Sequence, residues 1–205
     1  TAADDAEINN NRGGSFLMAG INGNAMVAGD DARINNDRGG SYTMLGGNGN
    51  LMVAADDVEI NNASGGDFAM FGLTGQIMVA GGDATINNGQ TTRYLNEEGD
   101  LDGSADMIFA GLTGNLMVAQ GNATINNVNG SELTFEGLTL SGMVAGDRAT
   151  IYNDETSVIN FNGLNVFGFA GANGSAFDNY GTVVVDGITQ LGTIDLLTLQ
   201  PIAGL

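Results

Sequence analysis

The chain has 205 residues, with 24 acidic against 5 basic side chains and a formal net charge of −19. That balance repels nucleic acid and anionic membranes, and the lack of His and Cys removes zinc sites and imidazole or thiol catalysis. With 42% hydrophobic and 14% charged residues the chain should bury a core, and its 34 glycines, lacking a Gly-X-Y period, read as tight turns between short strands rather than collagen.

The chain opens on Thr1 rather than methionine and enters a repeat within a few residues, as expected of a processed chain that is secreted or displayed at the cell surface. No stretch is apolar for long enough to cross a bilayer. The first expected strand is Ala6–Asn10. Its Ile-Asn-Asn recurs from Ile34, Ile60, Ile86 and Ile125, then decays to Ile-Tyr-Asn at Ile151, with spacings of 26, 26, 26, 39 and 26. The second expected strand alternates large apolar residues: Phe16 and Met18, then Tyr42/Met44, Phe68/Met70, Met107/Phe109, Leu133/Phe135 and Ile159/Phe161. A glycine column follows it at Gly20, Gly46, Gly72, Gly111, Gly137 and Gly163. This demands either a positive φ or packing too close for a Cβ. The third strand carries Met-Val, beginning at Met26, Met52, Met78, Met117 and Met143, in the same register.

Two markers in one register establish a repeat, and segments this short and glycine-rich do not form helices. Twenty-six residues in three strands make one turn of an all-β parallel β-solenoid. About seven such rungs, at ~4.8 Å each, would stack into a core about 35 Å long. A stack of antiparallel hairpins or a duplicated jelly roll is the competing architecture. The long spacing places a 13-residue insertion at about 89–102, whose Glu97, Glu98, Asp100 and Asp102 read as an acidic loop tip. A glycosidase-like carboxylate pair is the enzymatic alternative for that loop. Past Asn179 the register fades. Residues 1–180 are therefore expected to form the array, and 181–205 to supply C-terminal strands that cap it or join subunits.

Stacking turns each repeated residue into a column. Asn10, Asn36, Asn62, Asn88 and Asn127 are expected to form an inward ladder of side-chain amides, beside a second column from Asn9 to Asn126. Asp5, Asp31, Asp57 and Asp83 would stack likewise, next to Asp4, Asp30 and Asp56. Like charges ~4.8 Å apart repel by about 1 kcal/mol per pair in water. They must splay into solvent or share a cation, for which calcium is the candidate. The methionine columns read as core. The third strand, however, is apolar on both faces, Leu51 and Val53 opposite Met52 and Ala54, so something is expected to cover its outer side. Asn122, Asn129 and Asn173 lie in Asn-X-Ser/Thr triplets.

The stretch Gly46-Gly47-Asn48-Gly49-Asn50-Leu51-Met52-Val53 resembles the calcium-binding nonapeptide of RTX proteins, although Asn50 stands where that motif has its aspartate and the nine-residue period is missing. The repeat architecture across about 175 residues is similar to the β-helical shafts of filamentous haemagglutinins and autotransporter adhesins, which implies an extracellular role. The leading expectation is a structural protein, not an enzyme and without a cofactor, that self-assembles head to tail into a fibre or sheath. Ala6 and Ile8 at one end would pair with Ile194, Leu196, Leu197 and Leu199 of the next copy. The alternatives are a calcium-stabilised adhesin module that recognises glycan or another surface and, third, a polysaccharide-acting enzyme.

Overall fold

Three parallel β-sheets form the walls of the molecule, and each repeat contributes one strand to each. The computed structural model describes residues 1–89, 104–112, 114–137, 140–163, 166–187, 190–195 and 200–201. The first sheet stacks Ala6–Asn10, Ala32–Asn36, Val58–Asn62, Ala84–Asn88, Ala123–Asn127, Ala149–Asn153 and Ser175–Asn179. The second stacks Ser15–Gly20, Ser41–Gly46, Asp67–Gly72, Asp106–Gly111, Glu132–Gly137, Val158–Gly163 and Thr182–Gly187. The third stacks Asn24–Ala28, Asn50–Ala54, Gln76–Ala80, Asn115–Ala119, Leu140–Ala145, Val166–Gly171 and Gln190–Asp195, with Gln200–Pro201 added at its end. The pairing follows the repeat residue for residue: Ile8 lies on Ile34, Met44 on Met70, Val53 on Val79. Among the described strands only the last pair, Ile194 with Pro201, runs antiparallel. The hairpin and jelly-roll alternatives are excluded, and the fold is a β-solenoid.

The period-2 alternation of each strand decides what goes inside. Ala32, Ile34, Tyr42, Met44, Met52 and Ala54 of the second rung all point inward and are at most 4% exposed. Each buried large side chain stabilises the fold by about 1.5–3 kcal/mol. Phe16, Tyr42 and Phe68 stack in one column with ring centroids 4.9 Å apart. Across the insertion the aromatic shifts two positions along the strand, to Phe109, Phe135 and Phe161, spaced 5.7 Å. Met70 and Met107 mark the exchange: every rung to this point keeps one aromatic ring beside one unbranched or aliphatic chain, so its volume is conserved.

The glycine column at the end of the second sheet exists because the backbones meet there. A Cβ on Gly72 or Gly111 would sit 2.3 Å from the Cα of Gly49 or Gly75. Positive φ belongs to that second column instead, at 102° for Gly49 and 95° for Gly75.

The insertion and its carboxylates Glu97, Glu98, Asp100 and Asp102 lie outside the described residues, between Asn88 and Ser104. At the C-terminal side the solenoid continues where the sequence pattern fades: Val158 pairs with Thr182, Gly163 with Gly187 and Gly168 with Gly192. The turn after Asn179 is two residues shorter than its predecessor, so the strands stay stacked while the period slips.

Candidate functional site

Each repeated polar column can be followed to its hydrogen bonds. Neighbouring strand residues point to opposite sides, so the two asparagines of Ile-Asn-Asn part company. Asn36, Asn62, Asn88, Asn127 and Asn153 face inward and are fully buried, with Asn10 5% exposed. The Nδ2 of each donates forward to the Oδ1 of the next: Asn10 to Asn36 at 2.7 Å, Asn36 to Asn62 at 2.8 Å, Asn62 to Asn88 at 3.0 Å, Asn88 to Asn127 at 2.9 Å. Each also donates to carbonyls of the corner; Asn62 reaches those of Gly66 at 3.0 Å and Asp106 at 2.8 Å. The outer column runs the other way: Asn35 donates to Asn9, Asn61 to Asn35, Asn87 to Asn61 and Asn126 to Asn87, at 2.8–2.9 Å.

A third amide ladder, not read from the sequence, holds the glycine corner between the second and third sheets. Asn24 donates to Asn50 at 2.8 Å, Asn50 to Gln76 at 2.6 Å, and Gln76 to the Ala110 carbonyl at 2.9 Å. The signal was present as Asn24, Asn50, Gln76 and Asn115 in the repeat register, obscured by the Gln and by the RTX-like reading. Asn50, the calcium position of that motif, is 2% exposed and its amide is committed within the protein.

The aspartates line the corner between the third and first sheets. Asp5 accepts the backbone N–H of Asp31 at 3.3 Å, Asp31 that of Asp57 at 3.2 Å, Asp57 that of Asp83 at 2.8 Å, and Asp83 that of Asn122 at 2.7 Å. One carboxylate oxygen per rung is thus spent on the next rung's turn. The adjoining Asp56 is held above the usual carboxylate range, first by the charge of Asp57, then by desolvation and by Asp31, Asp30 and Asp83. Among the described residues no group of three or more carboxylates is placed to hold a metal ion. Elsewhere Asp67, Asp106 and Glu132 stack on the outer face of the second sheet. Desolvation, with Glu132 and Asp67 beside it, raises the Asp106 carboxyl.

The remaining surface divides sharply. The first sheet is polar outside, with Arg33 against Glu59 at 2.6 Å and the column Thr85, Thr124 and Thr150. The third sheet is apolar outside: Ile77 and Leu116 are 40% exposed and Val144 38%. Between the second and third sheets a groove of about 830 Å³ runs along the glycine corner, walled by Leu45, Phe71, Leu73 and Leu112.

Of the residues expected to join subunits, Ala6 and Ile8 sit in the outermost strand of the first sheet, partly buried and packed on the core. Ile194 lies in the strand Gln190–Asp195, whose residues Gln190 to Thr193 pair with Val166 to Phe169, and is itself paired antiparallel with Pro201 of its own chain. Leu196, Leu197 and Leu199 lie outside the described residues. The side-chain amides of Asn122, Asn129 and Asn173 bond to Asp83, the Gly89 carbonyl and Asp147. No helix among the described residues is long and apolar enough to cross a membrane. Compared with known proteins, the chain matches no family model, no curated protein and no solved structure.

Proposed function

We propose that this chain is a structural rod of a secreted or surface-displayed assembly, which associates with copies of itself into a fibre or sheath and turns over no substrate. One observation carries the reading: the residues that define the repeat are consumed in bonding rung to rung. The inner asparagines, the corner asparagines and the aspartates each give their polar atoms to the neighbouring rung, and the Ile, Met and aromatic columns fill the interior. A repeat invested in this way favours length and stiffness, and what it leaves outside among the described residues is broad surface with an apolar groove along the glycine corner.

The experiment is negative-stain electron microscopy of the purified protein with sedimentation equilibrium over a wide concentration range. Assemblies that grow with concentration are expected; isolated rods throughout would sink the reading. The second reading, a calcium-stabilised module that binds glycan or another surface, draws on the aspartate corner, where the charges of Asp57, Asp31, Asp30 and Asp83 all bear on Asp56. The calcium measurement below separates it.

A further inference from the structure

We propose that the outer face of the third sheet is the contact surface of a two-fold dimer, in which two solenoids lie side by side, run in the same direction and meet rung on rung. The inference rests on the structural-rod reading and names its partner, a second copy of this chain.

Charge selects the face. The strands from Asn24–Ala28 to Val166–Gly171 in the third sheet contain no charged residue, in a chain of net charge −19. Their outward columns are Leu51, Ile77 and Leu116 beside Val53, Val79 and Val118. Two such acidic copies repel on most approaches. On this one they bring together apolar surface and bury no carboxylate. A solvated sheet would alternate apolar with polar residues; this one does not.

The size suffices. The six uncharged parallel strands at ~4.8 Å, each five residues wide at ~3.3 Å, give a face of about 29 by 17 Å. A facing pair buries roughly 1,000 Å², the least that a specific interface needs, with the two sheets about 10 Å apart.

The edges select the symmetry. One long edge of the face is the aspartate corner with Asp30, Asp31, Asp56 and Asp57; the other is the glycine corner, residues 20–23, 46–49 and 72–75, with no charge. A two-fold axis along the strands would lay aspartate corner on aspartate corner. An axis parallel to the rod lays each aspartate corner against the partner's uncharged glycine corner. That axis also keeps the rods parallel and sets every rung opposite its own equivalent.

The chain has no cysteine, so Leu51→Cys with Val53→Cys introduces the only thiols. Under mild oxidation most of this variant should become a covalent dimer, while Thr85→Cys with Asn87→Cys, on the outer face of the first sheet, should form no covalent dimer. Rods paired in opposite directions would separate the second rung from its copy by about four rungs, ~19 Å, and leave it uncrosslinked, which overturns the symmetry. Independently, Val79→Asp with Val118→Asp should weaken association at least tenfold in sedimentation equilibrium, with the β-sheet circular dichroism retained. A parent that assembles, together with face cysteines that do not crosslink and aspartates that do not weaken it, overturns this interface and leaves the rod reading standing. A parent that is monomeric throughout overturns both.

Discussion

Replacing Tyr42 with phenylalanine should make the protein more stable. Tyr42 is fully buried, its ring is stacked between Phe16 and Phe68 with interplanar angles of 7° and 2°, and its hydroxyl meets no hydrogen-bond partner among the described residues. Burying a hydroxyl unmatched costs about 1–3 kcal/mol. Phenylalanine keeps the ring and both stacking contacts and removes only the oxygen. The vacated space, on the order of 15 Å³, gives back about 0.4 kcal/mol at ~24 cal/mol per Å³. The expected net gain is about 1–2 kcal/mol, a rise in Tm of about 2–8 °C for a chain of this length.

The same substitution has a signature in pH. Burial raises the Tyr42 phenol well above its ordinary value of 10.0. The folded chain therefore keeps this proton while the unfolded chain releases it above about pH 10, so stability falls as the pH climbs past that value. The sequence contains no lysine or cysteine to add its own alkaline titration. Melting followed by far-ultraviolet circular dichroism between about pH 7 and 11 should show a steeper alkaline decline for the parent than for Tyr42→Phe. A variant that melts lower than the parent at neutral pH, or declines with the same alkaline slope, would refute the reasoning.

Asn62→Ala removes three donated hydrogen bonds from the buried ladder and should cost about 2–4 kcal/mol in urea unfolding, against about 1 kcal/mol for Asn61→Ala in the outer column. Asp56 is raised by its neighbours, so its ionisation opposes folding; the parent should gain stability as the pH falls toward the carboxylate range, and Asp56→Asn should be more stable at neutral pH and lack that gain, as thermal melts across pH will report. Asp154 has the opposite sign: burial opposes its charge, but hydrogen bonds from Ser157, the Asn129 backbone and Thr156 outweigh it and hold the carboxyl low. Its contribution is present above about pH 4 and lost as the pH falls through the depressed value, so Asp154→Asn should lower stability at neutral pH, by an amount that solvent screening keeps small, and remove that acid limb. On the second reading, in which the aspartate corner binds calcium, about millimolar calcium raises Tm and Asp31→Asn with Asp57→Asn abolishes the shift; no shift in the parent removes that reading and leaves the corner a solvated rim.

The solenoid was legible because stacking forces like onto like: every residue of Ile-Asn-Asn and Met-Val, inward or outward, lies on its equivalent in the next rung, so their spacing is the rung. Legibility ended where chemistry was kept but letters changed. Gln76 continues an asparagine ladder with one more methylene, and Phe177 sits on Ile151 in the last strand of the first sheet. It failed again where a turn shortened, because a two-residue loss after Asn179 shifts the period without disturbing the strand pairing. The glycine column offered two explanations to the sequence, and only the Gly72–Gly49 approach decides between them. The apolar third strand was readable as an anomaly, but its stacking into one continuous uncharged face needed the sheet.

The opposite senses of the two asparagine columns bear on how long such a rod can be. A file of amides that all point one way adds its dipoles end to end, as a helix does, and successive links polarise one another. From Asn9 and Asn10 to Asn126 and Asn127, each forward step of the inner column is matched by a backward step of the outer one, on the neighbouring residue. The two fields oppose each other, so adding a rung lengthens the hydrogen-bonded files without enlarging the moment these two columns present at the tips. The tenth rung of such a stack would meet the same electrostatics in this corner as the second, and extension by gene duplication carries no penalty there that grows with length.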